Sequence, residues 1–314
     1  MPQVSPLIDS FLKTDGTPLP VDDALYIREI LGIHNRTNPL PDGSYVFNNV
    51  NVTVTGGLAE ITGHVTGTGN LELPYLWAPA SIGSYSFYYT GLTGSLIIPD
   101  SVTNIERYAF SGNSGFTGDL IIGNSVTSID DNAFTNCSGL TGSLIIPDSV
   151  TNMGQSVFYN CSGFTGDLTI GNSVTNIGSH AFYNCSGFTG SLIIPDSVTS
   201  IGSYAFYYCY RLTGSLNIPS SVTSIGSYVF RSCFGFTGSV TIPNSVTSIG
   251  WQVFRNTGFT TAYVDTDASI LSANTFGGSQ ITKIYYESSK IGWTDPWNGI
   301  PTAPWNNYPN PIPN

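Results

Sequence analysis

Residues 140–163 read LTGSLIIPDSVTNMGQSVFYNCSG and residues 164–187 read FTGDLTIGNSVTNIGSHAFYNCSG, aligning without a gap over 24 positions. This pairing sets a period that runs on in both directions. Leu92–Gly115, Phe116–Gly139, Phe188–Arg211 and Leu212–Gly235 keep its length, and Phe236–Gly258 is one residue shorter. A degenerate copy carrying Ile82 and Phe87 precedes them, and further copies are expected around Val264, Phe276 and Ile284. Self-similarity at such a period marks stacked supersecondary units, none of which can bury its own apolar face alone.

Superposed copies give columns. Leu96, Leu120, Leu144, Leu168, Leu192, Leu216 and Val240 form one, and Ile98, Ile122, Ile146, Ile170, Ile194, Ile218 and Ile242 the next. The two lie two residues apart, as same-face positions of a strand do. The strand of each copy is predicted over Thr-Gly-Ser-Leu-Ile-Ile, stopped by Pro99 and its counterparts, which cannot donate to a ladder, or by Gly123 and Gly171. Three more columns follow: valines from Val102 to Val246, isoleucines interrupted by Met153, and Phe110, Phe134, Phe158, Phe182, Phe206, Phe230 and Phe254. Stacked copies seal these faces into one core, which predicts a right-handed α/β solenoid. Its parallel sheet is expected on the concave face, with rungs about 4.8 Å apart. Short helical or irregular turns are expected on the convex face.

The stretch Leu216–Cys233 reads LNIPSSVTSIGSYVFRSC. With its sister copies it resembles leucine-rich repeats of the BspA-like class, whose pattern runs Ile-Pro, Ser-Val-Thr-Ser-Ile-Gly, Tyr-Ala-Phe, Cys. The likeness covers residues 75–285. It departs in an extra glycine-containing residue before the strand, as in Phe-Thr-Gly-Ser, which widens a turn without changing the fold. The resemblance implies surface display, adhesion and protein binding, and no catalytic chemistry. The chain divides into a non-repeat module at 1–70 for attachment or capping, the solenoid at 71–287, and a tail rich in Pro and Trp at 288–314.

Composition narrows the function. Charged residues make up 9% of 314 residues, against roughly 25% in an average globular chain. The net charge is −11, and the only lysines are Lys13, Lys283 and Lys290, so no basic stripe exists to neutralise phosphates and nucleic acid is not an expected partner. The apolar runs at 24–33 and 96–98 fall far short of the roughly 20 residues of a membrane span. The start, Met-Pro-Gln-Val-Ser-Pro-Leu-Ile-Asp, lacks the basic and apolar regions of a classical signal peptide.

No cofactor is expected. Cys137, Cys161, Cys185, Cys209 and Cys233 fall one per copy, whereas metal ligands converge at short spacing; reduced, structural thiols are the reading. Asn136, Asn160 and Asn184, with Asn35 and Asn51, fit the N-glycosylation pattern, the first three because the repeat recurs. His34, His64 and His180 are the only histidines. Asp119 and Asp167 lie two rungs apart, about 9.6 Å, a separation that suits a water between carboxylates, but an open sheet leaves them unenclosed. A non-catalytic protein is expected.

Two sets of positions are free to bind. Strand alternation sends Ile97, Ile121, Ile145, Thr169, Ile193, Asn217 and Thr241 outward, an aliphatic stripe on a solvated face. The alternative is β-propensity alone. The second set departs from consensus: Tyr207, Tyr208, Tyr210, Arg211, Arg231, Phe234, Trp251 and Arg255 gather in adjacent copies toward the carboxyl end. Tyr, Trp and Arg are the types enriched at energetic hot spots; the alternative is a cap closing the core. The expected ligand is a protein or cell-surface glycan on the solenoid, with other structural subunits at the amino-terminal module. The expected setting is extracellular: a phage virion, as a tail or capsid-surface component, or the surface of a bacterium or protist. In the flanks, a helix is read at 24–31, strands at 45–55 and 58–65 joined at Gly56-Gly57, and a tail too rich in proline for regular structure.

Overall fold

The computed structural model describes residues 43–47, 50–55, 58–61 and 80–305, so the helix read at 24–31 and the sequence positions His34, Asn35 and His64 lie outside the described residues. The chain winds as a parallel β-solenoid. The predicted strand column appears as Gly94–Ile97, Phe116–Ile121, Leu144–Ile145, Leu168–Thr169, Gly214–Asn217 and Phe236–Ile242. Pairing is parallel and joins equivalent residues of successive copies, as in Leu168 beside Leu144 and Leu216 beside Val240. The ladder is not continuous. It runs in separate pieces, and the copy at Leu192 contributes only a bridge from Ser191 to Thr213. Register slips where Gly94 and Gly214 take φ of 77°, a left-handed conformation that glycine adopts without a Cβ clash.

A second strand column, not assigned from sequence, follows the corner at Pro99: Val102–Ile105, Ser128–Ile129, Asn152–Met153, Asn176–Ile177, Ser200–Ile201, Ser224–Ile225 and Ser248–Ile249. Each regular coil thus has two short strand positions, the first reduced to a bridge at Ser191, and a six-residue turn. The turn is irregular, and the helical alternative is not found: the one helical element among the described residues is the 3-10 turn Ala268–Ile270. The cause lies in its hydrogen bonds, which alternate. Tyr108, Phe110 and Gly112 donate to Asp131, Ala133 and Thr135 of the next coil, at 3.1, 2.8 and 2.8 Å, while Ala109 and Ser111 donate three residues back within their own. Two residues per turn, such as Tyr204 and Tyr208 with φ of 60° and 62°, are left-handed, and no α-helix tolerates that.

The core is one column of fully buried side chains. Phe87, Phe110, Phe134, Phe158, Phe182, Phe206, Phe230, Phe254 and Phe276 stack face to face with centroids 5.1–5.7 Å apart. Phe164 and Phe188 meet them edge-on, the arrangement that the ring quadrupole favours. The cysteine column is buried beside them, and its thiols are free. Each Sγ donates to the carbonyl of the phenylalanine 27 residues earlier, from Cys137 on Phe110 at 3.2 Å to Cys233 on Phe206 at 3.1 Å. Asn113, Thr257 and Ser279 fill the same slot and also bond a phenylalanine carbonyl. The slot therefore asks for a small donor. The asparagines of the glycosylation pattern form a ladder: the Nδ2 of Asn160 donates to Asn136 and that of Asn184 to Asn160.

The stretch 45–55 is two strands. Gly43–Phe47 pairs antiparallel with Val50–Thr55, with Phe47 opposite Val50. Val50–Thr55 then pairs antiparallel with Leu58–Ile61, while Gly56-Gly57, read as their junction, lies outside the described residues. Leu58–Ile61 runs parallel to Ala80–Ile82, which carries the sheet onto the first coil. At the other end Thr302–Pro304 adds a rung beside Lys283–Tyr286, so regular structure enters the tail after all. Pro304 is tolerated because that strand is the last of its sheet and owes no amide to a further rung. Among the described residues no helix is long and apolar enough to cross a membrane.

Candidate functional site: an aromatic and arginine edge

The six-residue turn fixes the positions of the surface side chains on one edge of the solenoid. Because its amides bond equivalent carbonyls of the next coil, residues 24 apart sit directly above one another. Aromatic residues repeated at that spacing must stack. Tyr159, Tyr183 and Tyr207 do so, with centroids 4.7 and 5.1 Å apart. Beside them His180, Tyr204 and Tyr228 form a second file at 4.8 and 4.6 Å.

Tyr208 lies edge-on to Tyr207 at 4.3 Å, and Trp251 meets the edge of Tyr228 at 5.7 Å. Arg231 lies over both files at once, its guanidinium carbon 5.8 Å from the Tyr207 ring and 5.5 Å from Tyr228. It also donates to Gln252 Oε1 at 2.7 Å. The Nε atoms of Arg231 and Arg255 are buried and meet no acceptor within hydrogen-bond distance.

Desolvation disfavours the charged forms of His180, Tyr183 and Tyr207. It lowers the His180 pKa, since a partly buried imidazolium loses hydration. It raises that of Tyr183, aided by Tyr159 and Tyr208. The Tyr207 hydroxyl is pushed up to about 12, by burial first and its hydrogen bond with Tyr208 second, against the opposing pull of Arg231. The Tyr183 and Tyr207 phenols remain donors at neutral pH. Since stacked rings cover one another's faces, the edge presents ring rims and hydroxyls.

Of the sequence candidates, Tyr207, Tyr208, Arg231 and Trp251 come together here, with Arg255 half-buried one rung on. Tyr210 and Phe234 stand exposed one rung apart in the column after the buried cysteines, and Arg211 is exposed beside them. None of these closes the core. The Phe254 ring stacks on Phe276, and Trp297 covers Phe276 edge-on at 6.3 Å.

The isoleucine stripe lies apart, on the sheet face, with Ile97, Ile121, Ile145 and Ile193 exposed by 54, 52, 60 and 74%. Thr169 and Asn217 continue it outward, while Thr241 is buried. Tyr159, Tyr183, Tyr204 and Tyr228, the larger part of the aromatic surface, were not singled out from sequence. The available signal was a tyrosine at one position in consecutive copies. Asp119 and Asp167 are exposed on the sheet.

No curated protein matches the chain. Among solved structures it is similar to a leucine-rich repeat protein of Bacteroides ovatus, 20% identical, with a TM-score of 0.52, covering 77% of this chain and 70% of that one. It is also similar to a leucine rich cell surface protein of Faecalibacterium prausnitzii, 22% identical, with a TM-score of 0.46, covering 81% and 90%. At such identity the likeness concerns the fold. The BspA type leucine rich repeat region matches residues 80–213 and 186–292 in 6 copies, and the stacked coils are its repeats: the chain belongs to the BspA type leucine-rich repeat family.

Proposed function

We propose that this protein is a recognition protein displayed at a cell surface, and that it grips a protein partner with the edge formed by Tyr159, Tyr183, Tyr204, Tyr207, Tyr208, Tyr228, Arg231 and Trp251. The observation that carries the reading is the contiguity of that surface: two files of tyrosine bridged by one arginine. Rigid aromatic rings with polar rims give large contact area at low entropic cost, and hot spots concentrate such types. A protein suits it better than a sugar, because sugars stack on ring faces and here the faces cover one another. Membership of the BspA type supports a cell-surface setting, and the repeats lend nothing to a virion role. Binding rather than catalysis is favoured by exposure of Asp119 and Asp167 and by the engagement of His180 between tyrosines.

The test is binding of the full chain to immobilised extracellular proteins and to a glycan array, beside a variant carrying Tyr183→Ser, Tyr207→Ser, Arg231→Ser and Trp251→Ser. Saturable binding to a protein that weakens at least about tenfold in the variant, with an unchanged melting temperature, is expected. Binding confined to glycans, or binding that the four changes leave intact, contradicts the proposal.

A further inference from the structure

The sheet face carries a second surface with a different chemistry. Ile97, Ile121, Ile145 and Ile193 project from it into solvent. In the one intervening coil Thr169, paired in register with Ile145, replaces isoleucine. The shorter side chain leaves a groove of about 440 Å³ between Ile145 and Ile193, bordered by Pro147, Asp148, Asn172 and Pro195.

Carboxylates flank this stripe on both sides. Asp119 and Asp167 stand two residues before it in their coils, and Asp100, Asp148 and Asp196 three residues after it; all are exposed. From Ile97 to Ile193 each coil carries one of these aspartates, and they alternate from side to side. The pattern sets carboxylates on the same side two rungs apart, about 9.6 Å, rather than in direct register at about 4.8 Å, where they would repel more strongly. Asp100 and Asp148 accept the backbone amides of Asn124 and Asn172 in the next coils, both at 2.7 Å, which fixes them at the border. Among the described residues no ion pair to these aspartates is formed. Arg107 is the only lysine or arginine between residues 92 and 210, and its guanidinium lies over Tyr108 on the turn edge.

We propose that this face is the docking site for a cationic amphipathic helix of another polypeptide, lying along the solenoid axis with apolar residues on the isoleucines and lysines or arginines over both rows of aspartate. Spacing selects a helix. The five coils from Ile97 to Ile193, four rung spacings, span about 19 Å, which a helix of about 13 residues matches, with a turn of about 5.4 Å facing each rung of about 4.8 Å. An extended segment presents side chains to one face only every 6.6 Å or so and falls out of step within a few rungs. Charge selects the partner: a second copy of this chain would set aspartate against aspartate. The groove over Thr169 receives one bulky apolar side chain of the helix. This surface is separate from the aromatic edge, so the two stand or fall independently.

A fluorescein-labelled 14-residue helical peptide of leucine and lysine, with leucines on one face, is the probe, titrated into the full chain and followed by anisotropy. Saturable binding is expected. It should weaken at least tenfold in Ile145→Ser/Ile193→Ser and in Asp148→Asn/Asp167→Asn, weaken with added salt, and remain unchanged in the aromatic-edge variant. A peptide of the same composition with its leucines scattered round the helix should bind at least tenfold less tightly. No binding, equal binding of the scattered peptide, or equal binding by both face variants overturns the proposal. So does a dimer of the wild-type chain in sedimentation that Ile145→Ser/Ile193→Ser abolishes, because the occupant is then a second copy. All four substituted side chains are exposed, so a loss of binding with an unchanged melting temperature reports on the face.

Discussion

At the scale of single residues, the cysteine column shows how burial sets chemistry. Each thiol sits in the core against a phenylalanine carbonyl, and burial pushes Cys137 and Cys209 up to about 12. Cys161, Cys185 and Cys233 are raised further by burial and by neighbouring thiols. Since the thiolate is the nucleophile, native protein at pH 8 should take up no iodoacetamide, and unfolded protein one adduct on each of the five thiols; intact mass counts them. His180 supplies a pH dependence. Its folded pKa lies below its ordinary value because desolvation disfavours the charged ring. The unfolded chain therefore binds the proton more readily, and the contribution is complete above about pH 6.5 and lost as pH falls below it. Denaturant unfolding at pH 7.5 and 5 should show a smaller acid loss of stability in His180→Asn than in wild type; an equal loss contradicts the assignment.

At the scale of the element, the unit is the rung rather than the strand. Strands of two residues could not persist alone, but each is held between equivalents above and below, and the fully buried phenylalanine ladder runs through the core beside them. Phe158 touches Phe134, Phe182 and Phe164. Phe158→Ala should cost about 3–5 kcal/mol in chemical denaturation, while Ile145→Ser on the exposed stripe should stay within about 0.5 kcal/mol. Similar losses for both would contradict the core assignment. The phenylalanine, leucine and isoleucine columns were legible because a side chain that stacks on its own copy must recur at the period. The second strand was not. Val102 and Ile105 both point inward although three residues apart, which defeats the alternation by which a strand is recognised. The aromatic edge was half legible: Tyr207, Tyr208, Arg231 and Trp251 break the consensus, whereas Tyr159 and Tyr183 obey it. A search for departures passes over residues that recur with the period. The left-handed residues that hold the turn in place, including His180 and Tyr204, carry no residue-type signature, since Tyr, Asn, Ser, His and Gln all fill the slot.

At the scale of the molecule, copying one coil head to tail gives a sealed interior and two outer surfaces of different character, one aromatic and arginine-bearing, one aliphatic and acidic. The stack is closed at its carboxyl end by Trp297 over Phe276 and by Trp293 stacked on Tyr286 at 5.2 Å. The hairpins before residue 62 join its sheet at the other end. Both surfaces depend on neighbouring copies standing one rung apart. Spin labels test that directly. The exposed pairs Thr127→Cys/Thr223→Cys and Thr127→Cys/Thr247→Cys lie four and five coils apart, and the buried native thiols stay unlabelled. Pulsed electron paramagnetic resonance should give mean distances near 19 and 24 Å, growing by about 5 Å per coil, whereas distances that do not grow with the number of intervening copies would contradict the continuous stack.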